Sequence, residues 1–178
     1  MNRAHGAEHR IEALNASHAR AAFHSGAPEL DRYLHYQAGQ DARRKVAAPF
    51  VMLGEGVGEG GAILGYYTLS AYSVHLSELP EAIARKLPRY PLLPATLLGR
   101  LAIDSSHRGK NLGRLLLMDA LYRSWKNTSE VASIGVVAEA LDEAAQAFYL
   151  HHEFVRLEDH SNKLFIAMGT IEKAFRVG

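Results

Sequence analysis

Residues 97–118 constrain the fold of this chain most, because a strand, a turn and a helix follow one another within them. The apolar run 97–103 is typical of a buried strand, and it stops at polar residues 104–106. A turn containing Gly109 comes next, and an amphipathic helix begins near Leu112. The first amide groups of a helix lack partners within it, and the helix dipole is positive at that end. These residues therefore predict an anion-binding site at the turn.

Basic residues around this turn indicate the charge of its ligand. Arg108, Lys110 and Arg114 lie in or beside it and favour a polyanion, such as a phosphate-bearing molecule. Residues 85–126 carry nine Lys and Arg against two Asp, a net charge of +7, whereas residues 130–160 have a net charge of −6. Many single surface charges are only solvated. Their clustering beside a phosphate-type turn indicates either one long polyanion or a second anionic partner.

Composition narrows the class of protein. The length of 178 residues and the 22% of charged residues are typical of one soluble domain, expected to span residues 1–178. The absence of cysteine removes disulfides, thiolate zinc sites and cysteine nucleophiles, and it fits a reducing compartment. The first residues lack the apolar core of a signal peptide, and no apolar run is long enough for a membrane span. We therefore expect a cytoplasmic protein. His5 and His9 lack a third ligand, so no metal site is predicted.

The hydrophobic pattern predicts a single α/β domain with a mixed sheet, in the order β–α–β–β–(α)–β–α–β–α–β–β. Helices are expected at residues 28–41, 80–87, 112–125 and 142–150, the last of them capped by Asp142. Strands are expected at residues 10–14, 46–53, 62–74, 97–103, 131–138, 154–157 and 163–168. Residues 54–61 formally contain the dinucleotide pattern G-x-G-x-x-G, but the strand-like run after them argues against it and predicts a hairpin loop.

The turn Arg108-x-x-Asn111-x-Gly113 resembles the acyl-CoA pyrophosphate loop of the GNAT acetyltransferase superfamily, whose pattern is Gln/Arg-x-x-Gly-x-Gly/Ala. Arg108 and Gly113 match that pattern, and Asn111 stands where the family usually has glycine. Asparagine tolerates a left-handed backbone better than most other residues, so we expect the turn to keep its shape. From this motif alone, an ordinary basic strand-to-helix turn remains an alternative.

Residues 139–154 resemble the segment in which GNAT enzymes hold a helix, a tyrosine and an aromatic-ended strand. The resemblance implies that Tyr149 is the general acid. A phenol near the sulfur can protonate the thiolate that leaves when an amine attacks an acetyl thioester. By spacing alone, Tyr149 beside Phe148 is better interpreted as core packing. Together with the pyrophosphate loop upstream, the catalytic interpretation is favoured.

Further segments narrow the resemblance to the GNAT toxins of bacterial toxin–antitoxin pairs, over about residues 10–175. They are Phe23-x-Ser-Gly-x-x-x-Leu-Asp-x-Tyr-Leu34, Asp41-x-Arg-Arg44, Leu64-Gly-Tyr-Tyr-Thr-Leu-Ser70 and Gly99-Arg-Leu-Ala-Ile-Asp104. The resemblance implies transfer of an acetyl group from acetyl-CoA to the α-amine of aminoacyl-tRNA, which blocks translation. It also implies a ribbon-helix-helix antitoxin and a homodimer.

The resemblance implies the GNAT fold, with a mixed and mostly antiparallel sheet splayed between its fourth and fifth strands. The expected acetyl-CoA-binding residues are Leu101, Ala102, Ile103, Arg108, Gly109, Lys110, Asn111, Leu112, Gly113, Arg114 and Asp142. A tRNA needs further phosphate-binding cations. Those available are Arg43, Arg44, Lys45, Arg85, Lys86 and Arg89. An α-amine with a pKa of about 8 is partly neutral at cellular pH, so no strong general base is required.

Two alternatives stay open at this point. One is a GNAT enzyme that acetylates a small amine or a protein N-terminus, against which the basic clusters argue. The other is a non-catalytic binding module on the same fold. Asn111 keeps the second alternative open, because a side chain at that position crowds a bound pyrophosphate.

Overall fold

The structure is a computed structural model that describes residues 9–54, 61–157 and 160–176. Residues 55–60 of the predicted hairpin loop and His5 of the histidine pair lie outside the described residues. None of the helices in the described ranges has the length and apolar character needed to cross a membrane. The same ranges contain no group of three or more His, Asp or Glu arranged to hold a metal ion.

The described strands form one mixed sheet in the order β1-β2-β3-β4-β5-β7-β6. Their bounds are β1 (Arg10–Ala13), β2 (Ala48–Leu53), β3 (Ile63–His75), β4 (Leu92–Ile103), β5 (Gly135–Glu139), β6 (Val155–Leu157) and β7 (His160–Ala167). β1 pairs antiparallel with β2, and β7 pairs antiparallel with both β5 and β6. β4 and β5 are parallel. The predicted fold class, α/β with a mixed and mostly antiparallel sheet, is confirmed.

The helices are α1 (Pro28–Arg32), α2 (Ala38–Arg43), α3 (Glu81–Ala84), α4 (Leu112–Asn127), α5 (Glu143–His151) and α6 (Met168–Phe175). Pro28 begins α1, because the first helical position needs no backbone N–H. A π-helical segment, Tyr33–Gln37, joins α1 to α2, and short 3₁₀ turns lie at Leu76–Glu78 and Ser105–His107. The four predicted helices correspond to α1 to α5, since the first of them covers both α1 and α2. α6 was not predicted.

The starts of β4 and β5 differ most from the prediction. β4 begins at Leu92 rather than near residue 97, so it includes a proline at position 94. β5 begins only at Gly135, because residues 128–131 form a turn in which the N–H of Val131 donates to the carbonyl of Asn127 at 2.9 Å. In both cases the sheet, and not the local propensity, sets where the strand starts.

The chain divides into two compact units, residues 1–68 with 100–119 and residues 69–99 with 120–178. The core of the first unit includes Phe23, Tyr33, Leu34, Val51, Tyr66 and Ala102. The core of the second unit includes Val74, Leu93, Val137, Leu157 and Phe165. The assignment of residues 1–178 to a single domain stays a prediction.

The parallel pairing of β4 and β5 is short. It covers three residue pairs and ends at Leu98 opposite Ala138. β4 nevertheless continues for five more residues, to Ile103. The last part of β4, which contains Leu101, Ala102 and Ile103, therefore has no β5 partner. The splay between the fourth and fifth strands that the resemblance implies stays a prediction.

Candidate active site

Asp104 organises the turn that follows β4. Its carboxylate accepts hydrogen bonds from the backbone N–H of His24 at 3.0 Å and from the backbone N–H of Ser106 at 3.0 Å. The hydroxyl of Ser106 donates to the same carboxylate. The backbone N–H of Asp104 itself donates to the carbonyl of Leu64 in β3 at 2.8 Å. These bonds fix the point at which the strand becomes a turn.

The hydrogen bonds to Asp104 also set its ionisation. Burial by itself raises the pKa of this carboxyl, but the bonds from Ser106, the His24 backbone and His107 together lower the pKa to about 2. Asp104 is therefore a carboxylate at any physiological pH. A fixed negative charge therefore lies at the start of the basic turn.

Arg108 is bonded to the segment that precedes α1. Its guanidinium donates to the backbone carbonyl of Ser25 and lies directly over Gly26, where an added Cβ atom would be 3.0 Å from Nη2 of Arg108. Ser25 is fixed in turn by Asp31, whose carboxylate accepts both its N–H at 2.8 Å and its hydroxyl at 2.6 Å. The guanidinium predicted to bind a pyrophosphate is thus positioned by the backbone of another segment.

Two residues of the turn have left-handed backbones. The φ angle of Gly109 is 79° and that of Asn111 is 62°. Asn111 therefore adopts the conformation for which the GNAT pattern uses glycine, as expected for an asparagine. Both residues are exposed, as are Lys110 and Arg114. Neither of these two cations has a hydrogen-bond or ion-pair partner among the residues that the structure describes.

α4 begins at Leu112, directly after the turn. Its first N–H groups, which include those of Leu112, Gly113 and Arg114, have no acceptor within the helix. The helix packs closely because Gly65 of β3 carries no side chain. A Cβ atom at Gly65 would lie 2.7 Å from Leu116 of α4 and 2.8 Å from the carbonyl oxygen of Ala102. Free amides, left-handed residues and unpaired cations together form a site that fits a pyrophosphate.

Tyr149 lies near the end of α5 in the second unit and is 3% exposed. Its ring packs against Phe148 at 5.3 Å and against Phe154 at 5.1 Å between centroids. Burial raises the pKa of the Tyr149 phenol. The phenol is therefore protonated at neutral pH and is able to donate a proton. Its hydroxyl has no hydrogen-bond partner among the described residues.

Asp142 caps α5 as predicted. Its carboxylate accepts the backbone N–H of Ala145 at 2.8 Å. The helix ends at His151, and the following turn contains Glu153 with a φ angle of 71°. Asp142 was also predicted to bind the cofactor. Its hydrogen bond shows only the capping role, and its binding role stays a prediction.

Comparison with known proteins places these features in a family. A tRNA-acetylating toxin of Mycobacterium tuberculosis is 33% identical to this chain over 132 residues, which make up 74% of this chain and 75% of that protein. The chain belongs to the tRNA-acetylating toxins. The probable toxin TacT of Sinorhizobium fredii is 26% identical over 90% of this toxin and 92% of its own length. No protein-family profile matches the sequence of this toxin.

Solved structures of other toxins resemble this toxin over 94% of its length. A tyrosine-to-phenylalanine mutant of KacT has a TM-score of 0.87 and 30% identity, with 99% of its chain covered. AtaT complexed with acetyl-methionyl-tRNA has a TM-score of 0.86 and 29% identity, also with 99% of its chain covered. A mutant AtaT bound to acetyl-CoA and to the C-terminus of the antitoxin AtaR has a TM-score of 0.80 and 26% identity, with 98% covered. The resemblance to the GNAT toxins found in the sequence is confirmed.

The two basic clusters of this toxin lie at helix ends. Arg43, Arg44 and Lys45 are exposed at the C-terminal end of α2, and the φ angle of Lys45 is 61°. The other cluster, Arg85, Lys86 and Arg89, is exposed after α3 in the second unit. Cations at the C-terminal ends of helices are favoured by the dipole. Stabilisation of the helix ends does not require all six charges. Their role in binding tRNA stays a prediction.

Sequence reasoning missed the contacts that support this toxin's site. The Asp104–His24 and Arg108–Ser25 contacts join segments about 80 residues apart, and local sequence patterns do not predict such pairs. Arg100, which lies over the ring of Tyr33, was also overlooked. It belongs to the segment Gly99-Arg-Leu-Ala-Ile-Asp104. A single cation within an apolar strand could have identified it as a candidate functional residue.

Proposed function

We propose that this chain transfers an acetyl group from acetyl-CoA to the α-amine of aminoacyl-tRNA and thereby acts as a translation-blocking toxin. One observation carries the proposal: the chain has a TM-score of 0.86 to AtaT complexed with acetyl-methionyl-tRNA, over 94% of its own residues. The identity of 33% to a tRNA-acetylating toxin agrees with it. The enzyme class is therefore an acetyl-CoA-dependent N-acetyltransferase.

The turn after β4 holds the pyrophosphate of acetyl-CoA. Gly109 and Asn111, with φ angles of 79° and 62°, supply left-handed residues of the kind found in anion-binding backbone turns. The N-terminus of α4 adds free N–H groups, and Lys110 and Arg114 add charge. The backbone of Leu101 to Ile103, which β5 does not pair, holds the pantetheine arm by hydrogen bonds of the kind that strands form.

Tyr149 supplies the proton for the leaving group. Acetyl-CoA provides an acetyl thioester that an amine is able to attack. As the new C–N bond forms and the C–S bond breaks, the phenol of Tyr149 donates its proton to the departing sulfur. The acetylated nitrogen loses one proton, and the Tyr149 phenolate takes up one proton to become a phenol again. Burial keeps this phenol protonated, which is the state that a general acid needs. The acceptor is an α-amine with a pKa of about 8, so a neutral nucleophile is present without a strong base.

The basic clusters bind the tRNA backbone. Arg43, Arg44 and Lys45 extend from α2, and Arg85, Lys86 and Arg89 follow α3. Exposed cations of this kind contact phosphates without reading the sequence. A ribbon-helix-helix antitoxin neutralises the toxin, which acts as a homodimer in the cytoplasm. The structure of a mutant AtaT with the C-terminus of the antitoxin AtaR supports the presence of an antitoxin partner.

One experiment tests the proposed function directly. Purified protein is mixed with labelled acetyl-CoA and bulk charged tRNA, and the label on aminoacyl ends is counted. We expect label on charged tRNA and none on the same tRNA after its amino acids have been removed. Label on polyamines or peptides but not on charged tRNA would support an enzyme for other amines. Failure to bind acetyl-CoA in calorimetry would support a non-catalytic module.

A further inference from the structure

Arg100 is a cation that lies over an aromatic ring and not beside a carboxylate. Its guanidinium carbon lies 3.5 Å from the centroid of the Tyr33 ring. Among the described residues, no carboxylate pairs with it and no hydrogen bond joins it. The side chain is half-buried in the first unit. Withdrawing an arginine partly from water without an acidic partner costs desolvation free energy, and a bound anion would offset that cost.

The ring beneath Arg100 is fixed in place. The hydroxyl of Tyr33 donates to the carboxylate of Asp41 at 2.9 Å. The ring stacks on Tyr66, with 6.3 Å between centroids and 17° between planes. Burial and the bond to Asp41 raise the pKa of Tyr33 to about 12, so the ring is neutral and attracts a cation. Held over such a ring, a guanidinium is oriented while its N–H donors remain available.

The position of Arg100 along β4 identifies the end of the cofactor that it faces. Arg100 immediately precedes Leu101, and it shares a strand face with Ala102, which belongs to the same core as Tyr33. The turn that holds the pyrophosphate begins beyond the other end of this segment, after Ile103. At about 3.3 Å per residue, Arg100 lies about 10 Å from Ile103. The cation is therefore at the thioester end of the cofactor, where acetyl-CoA has no phosphate.

We propose that Arg100 binds a phosphodiester at the acceptor end of aminoacyl-tRNA, and that Tyr33 holds its guanidinium in place for this contact. The inference rests on the proposed function, because it takes the substrate from there. A guanidinium binds a phosphate with two parallel hydrogen bonds, which fixes orientation as well as affinity. Arg100 thereby places the aminoacyl end beside the thioester.

The test compares Arg100→Gln with the wild type at several salt concentrations, using charged tRNA. We expect kcat/KM to fall about 10- to 100-fold, as for the loss of a charged hydrogen bond. The slope of log(kcat/KM) against log[salt] becomes shallower by about 0.7, the contribution of one single-strand phosphate. The Kd of acetyl-CoA in calorimetry stays within twofold. Arg10→Gln, which removes an exposed arginine paired with Glu12 in β1, is the matched control and keeps the wild-type slope.

Two further variants separate the role from simple stability. Arg100→Lys keeps the charge but not the paired hydrogen bonds, so we expect the wild-type salt slope with kcat/KM about tenfold lower. Tyr33→Phe keeps the aromatic ring, so its kcat/KM should fall less than that of Tyr33→Leu. An unchanged salt slope in Arg100→Gln would overturn the proposal, and so would a Kd for acetyl-CoA that rises as much as kcat/KM falls. A wild type that acetylates no charged tRNA would instead refute the proposed function and this role with it.

Discussion

The carboxylate of Asp104 accepts the backbone N–H of His24 at 3.0 Å, across 80 positions of the chain. The N–H of Ser105 donates in return to the carbonyl of His24 at 2.8 Å. Arg108 adds a third bond, to the carbonyl of Ser25. The turn after β4 is therefore held by a segment far from it in sequence, and its shape depends on contacts within the first unit.

Asp104→Asn should lower the free energy of unfolding by about 1–2 kcal/mol, because a neutral amide replaces a carboxylate that accepts several hydrogen bonds. The loss should depend on pH. The pKa of Asp104 is lowered to about 2 in the folded protein from 3.8, so the carboxylate stabilises the fold above about pH 4. Urea unfolding at several pH values measures the difference between the variant and the wild type.

That difference should shrink as the pH falls from about 4 to about 2, because Asp104 then becomes protonated in the folded state. Asp142→Asn is the matched control. Its carboxylate is exposed and accepts one backbone N–H, and asparagine caps a helix about as well as aspartate does, so the expected loss is below about 0.5 kcal/mol. A difference for Asp104→Asn that does not depend on pH would show that its charge contributes nothing.

Tyr149→Phe should lower kcat by about 10²- to 10⁴-fold while the Kd of acetyl-CoA changes little, because only the proton donor is lost. The ring contacts with Phe148 and Phe154 remain, so the fold is kept. Initial rates with charged tRNA and calorimetry with acetyl-CoA are the measurements. Tyr122→Phe, at a partly exposed tyrosine of α4, should leave both values unchanged. A wild-type kcat in Tyr149→Phe would rule out the acid role.

The pH profile of the wild-type enzyme should show a single limb. Burial raises the pKa of Tyr149 above its usual value of 10.0, so the phenol stays protonated throughout the range of an assay. The acceptor amine must lose a proton, so kcat/KM should rise with pH and level off above about 8. Rates measured from pH 6 to 9.5 test this. A decline between pH 8 and 9.5 would mean that the acid titrates earlier than its burial allows.

Asn111→Ala should lower the free energy of unfolding by about 1 kcal/mol, because alanine is strained at a φ angle of 62°. Asn111→Gly should be free of that strain and should bind acetyl-CoA at least as well as the wild type. Urea unfolding and calorimetry on the two variants measure these effects. Equal stability of the two would contradict a left-handed residue at this position.

Gly65→Ala should destabilise the protein by about 1–3 kcal/mol. The new Cβ would lie 2.7 Å from a side-chain carbon of Leu116 and 2.8 Å from the carbonyl oxygen of Ala102, and the backbone oxygen has no room to move. Gly169→Ala is the matched control, since nothing lies within 4 Å of its added Cβ, and in α6 it should stabilise by up to about 1 kcal/mol. Thermal or urea unfolding compares them. A neutral Gly65→Ala would show that α4 is free to shift.

Local patterns were enough to predict most of the fold. The end of β4 at Ile103 and the start of α4 at Leu112 were predicted from the polar residues and the turn between them, and Asp142 is an ordinary helix cap. α6 was missed because its residues were assigned partly to the strand before it. Met168, Ile171 and Phe175 are spaced three and four apart, which is a helical signal that was present in the sequence.

The contacts of the site were less predictable, for a physical reason. Tertiary partners such as His24 for Asp104, or Tyr33 for Arg100, depend on which segments the sheet brings together. A single sequence shows the chemistry of each side chain but not its neighbours. The backbone of Asn111 was predictable because the resembling pattern has glycine at this position and asparagine tolerates a left-handed backbone.

The π-helical segment between α1 and α2 also affects how this chain is compared with others. A π-turn takes up about one residue more than an α-turn over the same stretch of helix. An alignment with a relative that has a regular helix there requires a one-residue gap within Tyr33–Gln37. Without that gap, every helix position after it is assigned to a face about 100° away from its true one. Asp41, which anchors the Tyr33 hydroxyl, would then be matched to the wrong residue.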